Sequence, residues 1–178
     1  DGQPLQAEVL GVAPGATQIF YAAYLKQVGI DAVPKLVSVA AYHDTVAMSE
    51  FELDGGWSYC GSVADPWASF NSLHERWILP QGERHSGNYG NWANAEFSQI
   101  SDAIGQLPPG DPEIDPLFRR GLEISLEELP VMAVAQQLRI VPYSTRYWTN
   151  WPTEENGYFH PPNWWMCFLQ VILKLKPA

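Results

Sequence analysis

Residues 57–70 read WSYCGSVADPWASF, and they carry the side-chain types that hold a small polar molecule. Trp57, Tyr59 and Trp67 offer flat faces on which a sugar ring or a peptide side chain can stack. Ser58, Ser62 and Asp65 can orient it through hydrogen bonds. The same residues also suit a structural role, with Trp57 and Trp67 in a core and Asp65 capping a helix. A second candidate is the run GNYGNW at 87–92, where Asn91 and Trp92 stand just before a predicted helix. Such a loop supplies backbone donors and an aromatic wall, or else a capped turn with Trp92 packed beneath it.

Reactive constellations are sparse. His43, His74, His85 and His160 show no metal-ligand spacing, and each is expected at the surface or at a helix end. Glu127 and Glu128 are consecutive on a predicted helix, so they face different sides and form no acid/base pair. The glycines at 55, 56 and 61 lack the spacing of a phosphate loop, and there is no nucleophile elbow. Cys60 and Cys167 suit two thiols or one disulfide and are too few for a metal cluster. The pattern calls for no cofactor, no metal and no enzymatic chemistry.

Composition narrows the partners. With 178 residues, 46% hydrophobic and 17% charged, the chain is long enough to bury a core and is not disordered. Its net charge is −10 and no Lys/Arg cluster is present, so a nucleic-acid backbone would be repelled. Apolar runs fall well short of the roughly 20 residues that cross a bilayer, and no signal-peptide pattern is visible.

The elements that must position these residues alternate. Residues 7–13 are strand-like, Pro14-Gly15 breaks the run, and 16–28 place Tyr21, Ala22, Leu25 and Val28 on one helical face. Gly29 fits a left-handed helix end. Residues 33–39 alternate with Val33, Val37 and Val39 on one face, and Pro34 near the start of the run marks an edge strand or a strand's first residue. A short helix over 41–50 leads through a strand-like run to Asp54-Gly55-Gly56. This β-α-β-α-β order predicts an α/β fold with parallel strands. Asn94 should cap a helix with Phe97, Ile100, Ile104 and Leu107 on its apolar face. Asp111-Pro112 should start the next, whose stripe is Ile114, Leu117, Phe118, Leu122, Leu126 and Leu129. Residues 131–141 read as one or two buried strands, and the composition turns aromatic and Pro-rich near 130.

Several stretches together resemble one family. They are Asp1-Gly2-Gln3-Pro4-Leu5, Leu25-Lys26-Gln27-Val28-Gly29-Ile30, Gly56-Trp57, Asp65-Pro66, YGNWANAEF at 89–97, LEELPV at 126–131, Val141-Pro142-Tyr143, WPTEEN at 151–156 and ILKLKP at 172–177. In order and spacing they resemble the family 5 extracellular solute-binding proteins, the oligopeptide- and oligosaccharide-binding subunits of ABC importers. The resemblance implies a C-terminal fragment. Residues 1–130 would be lobe II of a type II periplasmic-binding-protein fold, a mixed sheet flanked by helices. Residues 131–178 would be a return strand and an aromatic-rich tail that belong with an absent lobe I.

The resemblance also implies function. The protein would capture an oligosaccharide or oligopeptide in an inter-lobe cleft and deliver it to ABC transporter membrane subunits. It would work in the periplasm or outside the cell, in some hosts as a lipoprotein. Residues 57–67 would line the cleft. The spacing from Trp57 to Asp65 is longer than in the family's typical peptide binders, so no acidic residue is assigned to a peptide amino group. Stacking residues outnumber charged anchors, which leans towards a sugar. The tail holds four of the eight Trp, an apolar area that calls for contacts from outside the fragment, a homodimer among them.

Overall fold

β1 (Leu5–Val12) is the middle strand of a three-stranded parallel sheet in a computed structural model that describes residues 5–56, 66–133, 140–158 and 168–178. After β1 come α1 (Ala16–Gln27), β2 (Ile30–Val37), α2 (Val39–Ala47) and β3 (Leu53–Asp54). The strand order is β2-β1-β3, with Leu5 opposite Ile30 through to Val12 opposite Val37, and Leu10 opposite Asp54. The neighbouring residues Val9 and Leu10 are each 1% exposed, so both faces of β1 are covered. This is what crossover helices produce in a parallel sheet. Ala22, Tyr21 and Leu25 of α1 pack on Val9 and Ala32 on one face. Tyr42 and Val46 of α2 pack on Leu10, Val12 and Val37 on the other.

The expected element order is therefore present, with local corrections. Val28 does not join the apolar face of α1. It caps the helix and is exposed, because Gly29 (φ 88°) turns the chain straight into Ile30. Pro34 lies opposite Val9 within β2, which is an edge strand of this sheet. An edge strand has an unpaired side and tolerates the missing N–H. Val33 and Val39 are not inward-facing: α2 covers Leu10, Val12 and Val37 and leaves Val33 exposed, and Val39 already begins α2.

The rest of the first unit is helical: α3 (Trp67–Asn71), a 3₁₀ turn (Glu75–Trp77), α4 (Ala95–Gln106) and α5 (Ile114–Glu128). Phe70, Phe97, Ile100, Ile104 and Ile124 form its core. Asn94 caps α4 as expected, its Oδ1 accepting the Phe97 N–H at 2.9 Å. α5 starts two residues after Pro112, because Asp111 instead closes a turn by accepting the Glu113 N–H at 2.9 Å. The stripe of α5 also differs. Ile114, Leu117 and Phe118 pack inward, but the buried positions that follow are Gly121 and Ile124. Leu122, Leu126 and Leu129 are exposed, Leu126 at 65%. Gly121 explains the rotation. It lets the Phe70 ring lie directly on the helix, where any Cβ would overlap Phe70 Cε2.

Among the described residues the contacts fall into two compact units that separate between Val131 and Met132, with Pro66 grouped with the second. The second unit holds β4 (Trp148–Thr149), α6 (Phe168–Ile172) and β5 (Lys176–Pro177), with β4 and β5 antiparallel. Tyr143 and Trp151 stack nearly parallel, 4.7 Å between centroids. Asn150 gathers the turn: its Nδ2 donates to Lys174 O, its Oδ1 accepts from Asn156 and its carbonyl accepts from Tyr158. Val171 is fully buried, whereas Tyr147, Trp148, Phe168, Leu169 and Leu173 are exposed. The expected strands over 131–141 are not formed where the chain is described. Val131, Met132 and Ile140 lie outside any strand and are exposed, Ile140 at 86%, without a ladder that would cover them. Residues 134–139 lie outside the described residues, as do Phe159, Trp164, Trp165 and both cysteines. Among the described residues no helix is long and apolar enough to cross a membrane.

Candidate functional site

At the carboxyl end of the parallel sheet the polar groups come from three elements. On the α1 side, Gln18 is buried over Gly11 and Gly55, and its Nε2 donates to Gly55 O at 2.5 Å. This holds the chain as it leaves β3, and the Gly55 N–H in turn reaches Leu10 O at 3.0 Å. On the α2 side stands Asp54, the last residue of β3. The Tyr42 hydroxyl, one turn into α2, donates to Asp54 Oδ1 at 2.9 Å and lies 3.2 Å from Oδ2. Burial by the strand ends pushes the Asp54 carboxyl above the usual carboxylate range, against the opposing pull of the Tyr42 hydroxyl and the Gly56 backbone. The residue still keeps solvent exposure. Gly56 completes the arrangement: a Cβ there would overlap the Tyr42 hydroxyl and stand 2.8 Å from Asp54 Oδ2.

The chain runs from Gly56 into the aromatic segment. Trp57, Ser58, Tyr59 and Asp65 lie outside the described residues. Trp67 opens α3 with 38% of its surface exposed, and its indole edge rests on Gly105 of α4. Trp92 sits at the other end of α4. Its ring meets Phe97 edge-on at 4.8 Å, and its indole N–H donates to Glu128 at 2.7 Å. The same carboxylate accepts from Asn94 Nδ2 at 2.7 Å. From Phe97 to Gly105 the helix rises about 12 Å, so the structure does not bring Trp67 and Trp92 together. Asn91 donates to Ser49 Oγ at 3.3 Å, just beyond the end of α2 opposite Tyr42. Asn88 pins this loop from within, exchanging hydrogen bonds with both backbone groups of Trp92.

One histidine departs from expectation and another stands at a helix end as expected. His85 is buried, because its loop docks on α2 through the His85 N–H to Ala47 O. His74 is buried at a helix end, where its Nδ1 accepts the Arg76 N–H at 2.9 Å and its Nε2 lies 3.3 Å from Asp102. His74, with Arg76 beside it, holds the Asp102 carboxyl below the usual range. No group of three or more His, Cys, Asp or Glu among the described residues is placed to hold a metal ion. Gln18, Tyr42 and Asp54 were not singled out from the sequence. The one signal that marks them is an acidic residue ending a strand directly before Gly-Gly.

No protein-family model matches the chain, and no curated protein matches it. Solved structures do. A periplasmic oligopeptide-binding protein of an oligopeptide ABC transporter from Thermotoga maritima aligns over 99% of this chain and 34% of its own, at TM-score 0.70 and 24% identity. The same protein with mannohexaose bound aligns over the same shares at TM-score 0.68 and 24% identity. The chain spans about a third of the length of these structures. A parallel sheet with crossover helices, a helical layer and a separate aromatic tail together make the fold of one segment of a periplasmic oligopeptide-binding protein.

Proposed function

We propose that this chain is the C-terminal part of a two-lobed solute receptor of an ABC import system, which captures an oligosaccharide or oligopeptide between its lobes. Residues 1–130 form lobe II, and 131–178 return to lobe I. One observation carries the reading. The polar carboxyl edge of the parallel sheet, at Gln18, Asp54 and Tyr42, leads straight into the aromatic and hydroxyl-rich residues 57–67, in a chain with the fold of a receptor segment. Open α/β sheets take their ligands at this edge. The solved structure with mannohexaose supports a saccharide within the range of solutes. Trp57, Tyr59 and Trp67 supply stacking faces, and Ser58 and Asp65 supply hydrogen bonds. Asn91 and Trp92 support the cleft wall from behind. Hinge closure buries the solute, and the loaded receptor docks on the transporter's membrane subunits. It works in the periplasm or at the outer cell surface, free or lipid-anchored. The exposed apolar residues of the tail meet lobe I, and in the isolated chain they pair two copies.

Calorimetry on the complete polypeptide and on this chain alone tests the reading, with mannohexaose, cellohexaose and a mixed peptide set as probes. The complete polypeptide is expected to bind one class, and the isolated chain to bind weakly or not at all, since the cleft needs both walls. Micromolar binding by the isolated chain would overturn the two-lobed reading. No binding by the complete polypeptide would overturn the receptor role.

A further inference from the structure

We infer that Asn156-Gly157 is a site of spontaneous covalent modification: the Gly157 nitrogen attacks the Asn156 side-chain amide, and the product, aspartate or isoaspartate, loosens the turn that Asn150 gathers. The inference is independent of the receptor reading.

The chemistry needs a short side-chain amide followed by an unhindered and unpaired backbone nitrogen. The Gly157 nitrogen, deprotonated by hydroxide, forms a bond to Asn156 Cγ. Glycine has no Cβ to obstruct this approach. The Cγ–Nδ2 bond then breaks, and the amide nitrogen leaves with a proton as ammonia. Water opens the resulting five-membered ring. Attack at Cγ gives aspartate. Attack at the former backbone carbonyl gives isoaspartate, whose main chain runs through Cβ and Cγ. The balance is one water in and one ammonia out.

The fold leaves this pair open and closes others of similar type. Asn156 and Gly157 are both exposed in the second unit. The Gly157 N–H has no hydrogen-bond partner among the described residues. A single exposed hydrogen bond holds the amide, from Asn156 Nδ2 to Asn150 Oδ1 at 3.0 Å. At Asp54-Gly55, by contrast, the Gly55 N–H donates to Leu10 O at 3.0 Å beside the sheet. At Asn71-Ser72 the Ser72 N–H donates to Ala68 O at 3.2 Å at the end of α3. A nitrogen held in this way turns onto the preceding side chain only after its own bond is broken.

The product falls where neutral groups are matched. Asn150 Nδ2 is committed to Lys174 O at 2.7 Å, which turns Asn150 Oδ1 towards residue 156. An ionised carboxylate is acceptor-only, so at 156 it sets oxygen against oxygen. The Asn156 carbonyl also accepts the Thr153 and Tyr158 N–H groups, at 3.4 and 3.0 Å. In isoaspartate that carbonyl becomes a pendant carboxylate, and both bonds lose the acceptor that the turn had placed.

The test ages the complete polypeptide in its native state. Trypsin then releases the peptide 147–174, bounded by Arg146 and Lys174, for mass spectrometry with the change located by fragmentation. Methyl transfer from S-adenosylmethionine by a protein isoaspartyl methyltransferase counts isoaspartate. Residue 156 is expected to show the mass gain of amide-to-acid exchange, several-fold faster at pH 8 than at pH 6. The native rate should lie within several-fold of that in guanidinium chloride. Asn156→Gln and Gly157→Ala should each slow conversion several-fold or more. Amide hydrogen exchange at Thr153 and Tyr158 should quicken several-fold in the aged protein. A native protein that stays unconverted while the unfolded one converts overturns the inference, and this comparison needs no variant to fold. Conversion unchanged in Gly157→Ala overturns the role of the glycine nitrogen. Conversion without faster exchange at Thr153 and Tyr158 overturns the loosening of the turn.

Discussion

Replacing Gly121 by Ala sets two effects of opposite sign against each other. Gly121 is the eighth residue of the fifteen-residue helix α5. In a helix interior Gly→Ala ordinarily stabilises by about 1 kcal/mol. Here the added Cβ would overlap Phe70 Cε2 and stand 2.8 Å from Cζ. The Phe70 ring cannot step aside easily: it is buried, with Phe97 at 4.7 Å and Phe118 at 5.3 Å between centroids. Overpacking of this kind costs about 1–3 kcal/mol. Clash should win, leaving a net loss of about 1 kcal/mol, which lowers the melting temperature by roughly 2–4 °C in a chain of this length. Gly105→Ala is the control. Its Cβ would stand 2.5 Å from Trp67 Nε1, but Trp67 is 38% exposed and so less tightly packed than the buried Phe70. That variant should melt at or above the wild-type temperature. Circular dichroism melts of the three proteins decide the matter. A Gly121→Ala protein that melts higher than wild type would show that the Phe70 cluster repacks freely, and the account of why α5 is rotated would fail.

Two further predictions follow from the cap and the carboxylates. Asn94→Ala should cost about 1 kcal/mol through loss of the α4 cap, read as a lower urea midpoint at unchanged slope. Asn94→Asp keeps the cap but sets a second carboxylate against Glu128, so it too should destabilise at pH 7 and recover as pH falls; equal stability at both pH values would show that the Glu128 contact is idle. Asp102 is held below the usual carboxylate range by His74 and then Arg76, so its contribution is present above that range and is lost as pH falls through the depressed value. Melts from pH 5 to pH 2 should therefore drop less steeply for Asp102→Asn than for wild type, and parallel curves would refute the pairing.

Much of the fold could be read locally. The alternation of strand and helix through residue 54, the left-handed turn at Gly29 and the Asn94 cap each depend on residues within a few positions of one another. Where the sequence misleads, the cause is a contact that it does not display. Periodicity put Leu122 and Leu126 on the inner face of α5, because apolar residues at helical spacing normally mark the core. A glycine carries no weight in such a pattern, yet Gly121 is where an aromatic ring from α3 reaches the helix. His85 reads as a surface residue until its loop is seen docked on α2.

The candidate site divides in the same way. The sequence by itself determined the α/β order, the aromatic and hydroxyl-rich segment after β3, the acidic balance and the absence of a basic cluster, because these are properties of residue type and short spacing. It also carried the likeness that the solved structures bear out as a fold. Tertiary structure alone decided that Gln18, Tyr42 and Asp54 meet at one end of the sheet, and that Trp67 and Trp92 sit at opposite ends of α4. The physical reason is strand order. β1 lies between β2 and β3, so residues from 18, 42 and 54 converge only once two crossovers have folded onto opposite faces of that central strand.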